Sequence, residues 1–191
     1  KSEIEGEVNI AYSILDVSRR KNIHKALIKG SVKSLKRMGH NISDRIYHKI
    51  NGIPGIFSTR IAYVDKPLSD ADSYDLRITD IDGDGDLSLF KSNQPILSPD
   101  WSPNGKEIVY VSFEEGTSRI YIQELATGNR RALKRERGIN SSPSWSPNGN
   151  YLSAVLSKGD NPDIYLYNLR SNAWTPLTGH YGIDTEPDWS P

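Results

Sequence analysis

The sequence contains no cysteine, one methionine and three phenylalanines, and it has no apolar run of membrane-spanning length. The lack of cysteine excludes a disulfide framework, a thiolate zinc site and a cysteine nucleophile. The 24 basic and 24 acidic residues cancel at pH 7. A neutral chain is poorly suited to bind nucleic acid or a membrane surface, so we expect neither nucleic acid as a partner nor insertion into a membrane.

The most informative feature of the sequence is a repeat. SPDWSPNGKEIVYVSF begins at Ser98, SPSWSPNGNYLSAVLS begins at Ser142 and EPDWSP begins at Glu186, so successive copies are 44 residues apart. Four short alternating segments with a period in the forties are typical of the four-stranded blades of a β-propeller. We therefore predict a mainly β fold. The predicted parts are an incomplete first blade at 57–95, full blades at 96–139 and 140–183, and the start of another at 184–191.

Residues 1–56 follow a different pattern. EVNIAYSILDV (7–17) alternates between apolar and polar residues and is predicted to form a strand, with RKNIHKALIKGS as its hairpin partner. Apolar residues at steps of three and four predict an amphipathic helix over 32–50. Ser31 suits its N-cap and Gly52 its C-cap. We interpret this region as the end of an α/β domain that precedes the propeller.

Four aspartates, Asp80, Asp82, Asp84 and Asp86, raise the question of a calcium loop. They match the first positions of an EF-hand loop, but Lys91 stands where the bidentate glutamate is required. Gly-Asp-Gly between two alternating segments is typical of a hairpin turn, and the corresponding turns of the other copies lack the aspartates. We predict a turn between the third and fourth strands and no structural metal site, with weak binding of a cation as an open alternative.

The histidines and serines do not form a recognisable catalytic pattern. His40 and His48 are eight residues apart on the predicted helix, whereas a helical zinc pair needs a spacing of four. The sequence has no Gly-x-Ser-x-Gly elbow. We expect no catalytic residue, no bound metal and no cofactor.

Several segments resemble the TolB family, the periplasmic propeller proteins of the Tol–Pal system of Gram-negative bacteria. They are DRIYHKINGIPGIFSTRIAYV at the junction, the two Trp-Ser-Pro-Asn-Gly repeats, and DTEPDWSP. The resemblance extends from about Glu7 over almost the whole chain, and GIPGIFSTRIAYV is its most specific part. Asn104 and Asn148 depart from the family pattern, which usually has Asp there.

The resemblance implies a non-enzymatic periplasmic scaffold with an α/β N-terminal domain and a six-bladed propeller. It implies that the propeller mouth binds Pal, the peptidoglycan-associated lipoprotein, and that an N-terminal end outside this chain communicates with TolA. Outer-membrane integrity, envelope constriction at cell division and colicin import are the processes it suggests. We expect a monomer, and we expect the chain to be a piece of a longer protein.

The resemblance also points to the residues just before each innermost strand as the rim of the mouth. The candidate partner-binding residues are Leu97, Ser98, Ile139, Asn140, Ser141, Ser142, Asp184, Thr185 and Glu186. The alternative is that Asn140, Ser142 and Thr185 only satisfy backbone groups of their loops.

Two other classes of protein stay open at this point. One is the propeller of a prolyl-oligopeptidase-type serine peptidase, whose catalytic domain would lie outside this chain. The other is a carbohydrate- or calcium-binding propeller, for which the acidic turn would be the site.

Overall fold

The computed structural model describes residues 6–68, 72–158 and 161–190. Thirteen strands and one helix are assigned within them. The strands are β1 (Glu7–Asp16), β2 (Lys21–Ser31), β3 (Arg60–Asp65), β4 (Tyr74–Asp80), β5 (Leu87–Ser92), β6 (Ile96–Trp101), β7 (Glu107–Ser112), β8 (Arg119–Glu124), β9 (Arg130–Ala132), β10 (Asn140–Trp145), β11 (Tyr151–Leu156), β12 (Asp163–Asn168) and β13 (Ala173–Pro176). The helix is α1 (Leu35–Asn51), and a 3₁₀ turn (Val32–Ser34) precedes it.

The chain divides into two compact units. The first contains Lys1–Ile61 and Asp80–Asp84, and the second contains Ala62–Thr79 and Gly85–Pro191. The domain limits inferred from the sequence, 1–56 and 57–191, stay a prediction.

The first unit contains the predicted hairpin and helix. Strands β1 and β2 pair antiparallel, and α1 packs on β2 through Met38, which is 5% exposed. A Cβ at Gly30 would lie 2.6 Å from Met38 Sδ, so a larger residue there would require the Met38 side chain to move. The helix ends as predicted at Gly52, whose φ of 76° is left-handed and whose N–H donates to the His48 carbonyl at 2.9 Å. The predicted helix over 32–50 differs at its start, because its first three residues form the 3₁₀ turn.

The junction segment is held against the helix by one carboxylate. Asp44 accepts the backbone N–H of Phe57 at 2.7 Å and that of Ser58 at 3.0 Å. A Cβ on Gly55 would come within 2.5 Å of the Asp44 Cα. The glycine of GIPGIFSTR is therefore required by a close contact with α1.

The acidic stretch forms the predicted hairpin turn between β4 and β5. Gly83 has a φ of 83° and donates its N–H to the Asp80 carbonyl at 2.9 Å. Lys36 lies 2.8 Å from Asp82, and His40 lies 3.1 Å from the same carboxylate. The hydrogen bond from Lys36 is the main cause that lowers the pKa of Asp82 to about 2. Asp82 therefore faces Lys36 and His40 of the helix.

The second unit consists of three antiparallel sheets in which consecutive strands are neighbours. They are β3-β4-β5, β6-β7-β8-β9 and β10-β11-β12-β13. Strands β10, β11 and β12 begin 44 residues after β6, β7 and β8, so the sequence period is also the structural period. This arrangement confirms the prediction of a mainly β chain built from four-stranded blades, while the count of six blades stays a prediction.

Apolar clusters lie between successive sheets. The first involves Leu76, Ile78, Ile96, Ile108, Tyr110 and Tyr121. The second involves Val109, Val111, Ile120, Ile122, Leu133, Trp145, Leu152, Ala154 and Tyr167. Alternate residues of β7 and β8 supply both clusters, because successive side chains of a strand point to opposite faces. These two strands are therefore apolar on both faces, in contrast to the alternating β1 and β2.

The Trp-Ser-Pro-Asn-Gly box forms the turn between the first two strands of each full sheet. Ser102 Oγ accepts the N–H of Glu107 at 2.9 Å, and the Asn104 side-chain oxygen accepts the N–H of Lys106 at 2.9 Å. The second copy makes the same two bonds. An aspartate would supply the same acceptor, so the departure from the family pattern preserves the turn.

Candidate partner-binding rim

The nine candidate residues, called the rim from here on, lie where the chain enters each innermost strand. Strand β6 begins opposite the end of β7, with Ile96 paired to Ser112, and β10 begins in the same way. The pairing shifts between Leu97 and Asp100 and between Ser141 and Ser144. A bulge of this kind re-aims side chains and ends regular pairing, which leaves the start of each strand available for contacts.

Each copy of the repeat places one rim residue in the left-handed region of φ. Ser98 has a φ of 49°, Ser142 of 46° and Glu186 of 54°. None is glycine, and each precedes a proline, which further restricts the backbone. Such conformations cost of order 1–3 kcal/mol and persist only where surrounding structure enforces them. The strain recurs at the same position of all three copies.

Hydrogen bonds between successive copies of the repeat hold the innermost strands that carry the rim. Ser142 Oγ donates to a carboxylate oxygen of Glu186 at 2.9 Å. Asp100 accepts the backbone N–H of Trp145 at 2.7 Å, and Trp189 Nε1 donates to a backbone carbonyl of β10 at 3.1 Å. These hydrogen bonds join the innermost strands of neighbouring copies, although each pair of copies is joined by different contacts.

The rim residues differ in exposure. Leu97 and Ile139 are the apolar members, 47% and 51% exposed. Ser98, Thr185 and Glu186 are exposed, and Ser141, Ser142 and Asp184 are half-buried. Asn140 is only 2% exposed. The structure brings Ser142 and Glu186 into direct contact, whereas no contact joins Leu97 or Ser98 to them among the described residues.

Asn140 closes its own loop. Its side-chain nitrogen donates to the carbonyls of Glu136 at 2.9 Å and Gly138 at 3.0 Å, and its oxygen accepts the Glu136 N–H at 3.1 Å. Its backbone N–H donates to Ser118 Oγ at 3.0 Å. These bonds satisfy backbone groups of the loop, as the alternative interpretation of Asn140 requires. The residue can shape the rim, but it presents little surface to a partner.

Two ion pairs lie near the rim. Arg119 lies 2.7 Å from Glu115, and its hydrogen bond is the main cause that lowers the pKa of Glu115. Lys158 lies 3.3 Å from Glu136. Glu186 differs, because no cation of the described part of the chain lies within ion-pair distance of it. Its carboxylate remains the exposed charge of the rim.

Sequence reasoning overlooked the left-handed residues, although the sequence holds a signal for them. Serine or glutamate precedes proline at the same position of each copy, in "SPDW", "SPSW" and "EPDW". A recurring residue before proline indicates a special backbone geometry at that point. The positive sign of φ at these residues, however, depends on the bulge and could not be predicted from the sequence.

Antiparallel blades with a constant period, joined through their innermost strands, define the chain's fold as a β-propeller. The family model described as "TolB beta propeller domain" matches residues 47–191. The chain belongs to this TolB propeller family.

Individual relatives agree with that placement. The Tol-Pal system protein TolB of Alcanivorax borkumensis is 44% identical over 143 residues, which is 74% of this chain and 33% of that protein. The TolB protein of Xylella fastidiosa is 42% identical over 139 residues, 72% of this chain and 32% of that protein. The chain thus spans about a third of the length of the curated relatives it matches.

Solved structures agree as well. The crystal structure of TolB from Acinetobacter baumannii has a TM-score of 0.85 at 36% identity, covering 96% of this chain and 46% of that chain. A puromycin-hydrolyzing peptidase of Mycobacterium tuberculosis has a TM-score of 0.52 at 15% identity, over 68% of this chain and 22% of that chain. The latter likeness shows the fold alone.

None of the helices in the described ranges is long and apolar enough to cross a membrane.

Proposed function

We propose that this chain is part of a non-enzymatic scaffold of the Tol–Pal system in the periplasm, and that its rim binds the lipoprotein Pal. The observation that supports this proposal is the match to the TolB propeller model over residues 47–191. The strained rim adds to it, because residues held in rare backbone conformations cluster at binding sites. Linkage to TolA, and the part in outer-membrane integrity and cell division, follow from the same family assignment.

The rim has the composition of a polar protein interface. Two exposed apolar side chains, Leu97 and Ile139, are accompanied by hydroxyl groups and by the unpaired carboxylate of Glu186. Protein interfaces combine an apolar centre with polar groups that make about one hydrogen bond per 100–200 Å². Only a minority of such residues carries most of the binding free energy. We assign the largest share to Glu186, because a partner's cation or N–H can pair with its free charge.

Titration calorimetry of the full-length protein against the soluble domain of Pal from the same organism tests this proposal. We expect a dissociation constant below about 1 µM, and a loss of about tenfold in Glu186→Ala. Glu124→Ala is the matched control, because Glu124 is an exposed glutamate at the opposite end of its sheet. Equal weakening in both variants, or no complex at all, would contradict the proposed site.

The serine-peptidase alternative makes a different prediction. A propeller that gates a peptidase would accompany a reactive serine, which a fluorophosphonate probe labels covalently. We expect no labelling of the full-length protein, together with Pal binding. Labelling without Pal binding would favour the peptidase class.

A further inference from the structure

A cluster of possible metal ligands combines the rim residue Asp184 with two residues outside the rim, Asp163 and His180. Asp163 stands at the start of β12, and His180 and Asp184 belong to the connection that follows β13. One ligand atom from each residue lies within 4.8 Å of the other two. Sequence reasoning missed this cluster, because its members come from two separate segments and His180 and Asp184 are not on a helix.

Two carboxylate oxygens of the cluster lack a hydrogen-bond partner among the described residues. Asp163 Oδ1 and Asp184 Oδ2 are shielded from solvent and accept no hydrogen bond from the described residues. Asp184 Oδ2 lies 3.2 Å from His180 Nδ1 without hydrogen-bond geometry. Buried carboxylate oxygens are normally hydrogen-bonded, charge-paired or bound to a metal. A bound metal ion would supply the partner that these two oxygens lack.

The space and the distances suit a metal ion. A cavity of about 570 Å³ adjoins the cluster and is lined by Asn161, Asp163, Gly179, His180 and Tyr181. Zinc bonds to nitrogen and oxygen are about 2.0–2.2 Å long, which places tetrahedral ligands about 3.3–3.5 Å apart. The 3.2 Å separation of the His180 and Asp184 atoms is close to that value. A ligand atom of Asp163 lies within 4.8 Å of both, so a small side-chain movement would complete the set of three ligands.

The donor set selects among metals. Calcium and magnesium take oxygen ligands almost exclusively, whereas an imidazole with two carboxylates suits zinc and related transition metals. Three protein ligands leave a further position that faces the cavity. At the acidic turn of residues 80–86 the imidazole of His40 lies 3.1 Å from Asp82, but that carboxylate is already paired with Lys36 at 2.8 Å.

The equivalent positions of the preceding blade hold residues that cannot form the same metal-binding set. The positions 44 residues before Asp163, His180 and Asp184 hold Arg119, Glu136 and Asn140. Arg119 is paired with a glutamate, and the Asn140 amide closes its loop without any charge. The donor set is therefore not a general feature of the repeat.

We propose that Asp163, His180 and Asp184 bind one zinc ion that ties the loop before the rim to the start of β12. Zinc would bridge segments that are 17 residues or more apart in the chain and would order the loop that carries His180, whose side chain is 69% exposed. The proposal does not depend on Pal binding.

Calorimetric titration of the tag-free full-length protein with zinc chloride tests the proposal. We expect a site of micromolar affinity that is weakened at least about tenfold in Asp163→Asn and in His180→Ala. His48→Ala is the matched control, because His48 is also an exposed histidine, and its affinity should equal that of the unmodified protein. His180→Ala keeps the test valid should Asp163→Asn fold poorly, since His180 lies mostly in solvent.

Cobalt substitution gives a second reading of the same site. We expect visible absorption bands of Co²⁺ bound to nitrogen and oxygen, which disappear in both ligand variants and persist in His48→Ala. Absence of zinc binding at millimolar concentration would overturn the proposal. Equal zinc affinity in all three variants would overturn it too, because the metal would then bind elsewhere.

Discussion

Two loops at the same end of successive blades are attached to the blade in the same way but differ in the polar side chain at the attachment point. The loop 134–139 leads into β10, and the loop 177–183 leads into the next copy of the repeat. Asn140 ends the first loop and donates its N–H to Ser118 Oγ, whereas Asp184 ends the second and donates its N–H to the Pro162 carbonyl at 3.0 Å. The attachment point is thus the same in both blades.

The side chains diverge from that common point. The side-chain amide of Asn140 donates to and accepts from backbone groups of its own loop. The side-chain carboxylate of Asp184 has no such donor and lies against His180. The comparison teaches that the repeat specifies where a loop is attached, and that a single amide or carboxylate decides whether the loop closes on itself or needs an added ligand. Four predictions test this contrast, from the largest effect to the smallest.

Asn140→Ala should have the largest effect. The substitution removes the hydrogen-bond partner of three backbone groups of residues 136 and 138 and empties a position that is 2% exposed, so we expect the free energy of unfolding to fall by about 3 kcal/mol. Urea unfolding measures it. The corresponding Asp184→Ala should cost about 1 kcal/mol or less, and similar losses for both would show that the loops are equivalent after all.

Gly138→Ala should come next. Gly138 has a φ of 83°, and a Cβ there would lie 2.5 Å from the Ser157 carbonyl oxygen. We expect a loss of about 2 kcal/mol. Gly182→Ala is the matched control, because the nearest atom to its Cβ would be 3.6 Å away. A cost below about 0.5 kcal/mol at Gly138 would contradict the close packing of this loop.

Substitutions of Ser98 should report the strain at the rim. Ser98→Val places a β-branched residue at positive φ, and Ser98→Gly removes the conflict. We expect the glycine variant to be more stable than the valine variant by about 1–2 kcal/mol, measured as the difference in unfolding free energy. Val8→Gly is the control, and here we expect the glycine variant to be less stable than the protein with valine, because a regular strand favours valine. Equal stability of the two Ser98 variants would argue against a left-handed backbone there.

The acidic turn between β4 and β5 provides the fourth prediction, for which we expect the smallest change in stability. The folded protein lowers the pKa of Asp82 from 3.8 to about 2, chiefly through the hydrogen bond from Lys36. Its contribution to stability is therefore complete above pH about 4 and is lost as the pH falls to about 2. Lys36→Met should flatten this loss in acid unfolding curves.

Lys49→Met is the control for that experiment, since Lys49 is an exposed lysine of the same helix. Its acid unfolding curve should follow that of the unmodified protein. Identical curves for Lys36→Met and the unmodified protein would show that the carboxylate–lysine contact contributes nothing.

Much of the fold could be predicted from local patterns. The 44-residue period indicated the blades, and alternation predicted the hairpin that β1 and β2 form. Turn chemistry also placed the stretch with Asp82 between two strands, against the competing calcium loop. These predictions succeeded because they depend on neighbours in the chain. The start of α1 was less certain, since 3₁₀ and α-helical turns share the same apolar spacing.

The candidate site was predictable only in its position along the chain. Sequence and resemblance together pointed to Asn140, Ser142 and Glu186, but not to the burial of Asn140 or to the bond between Ser142 and Glu186. Burial depends on how adjacent blades pack. Whether the rim residues bind a partner stays a prediction.

The sequence by itself determined the strands, the turns and the spacing of the repeats, because side-chain alternation and the backbone preferences of glycine, proline and asparagine act over a few residues. Only the tertiary structure decided which side chains meet. It brought Asp163 to His180 and Asp184, and it placed Lys36 on Asp82. These contacts join residues far apart in the chain, and only the packing of sheets and helix sets the distances between them.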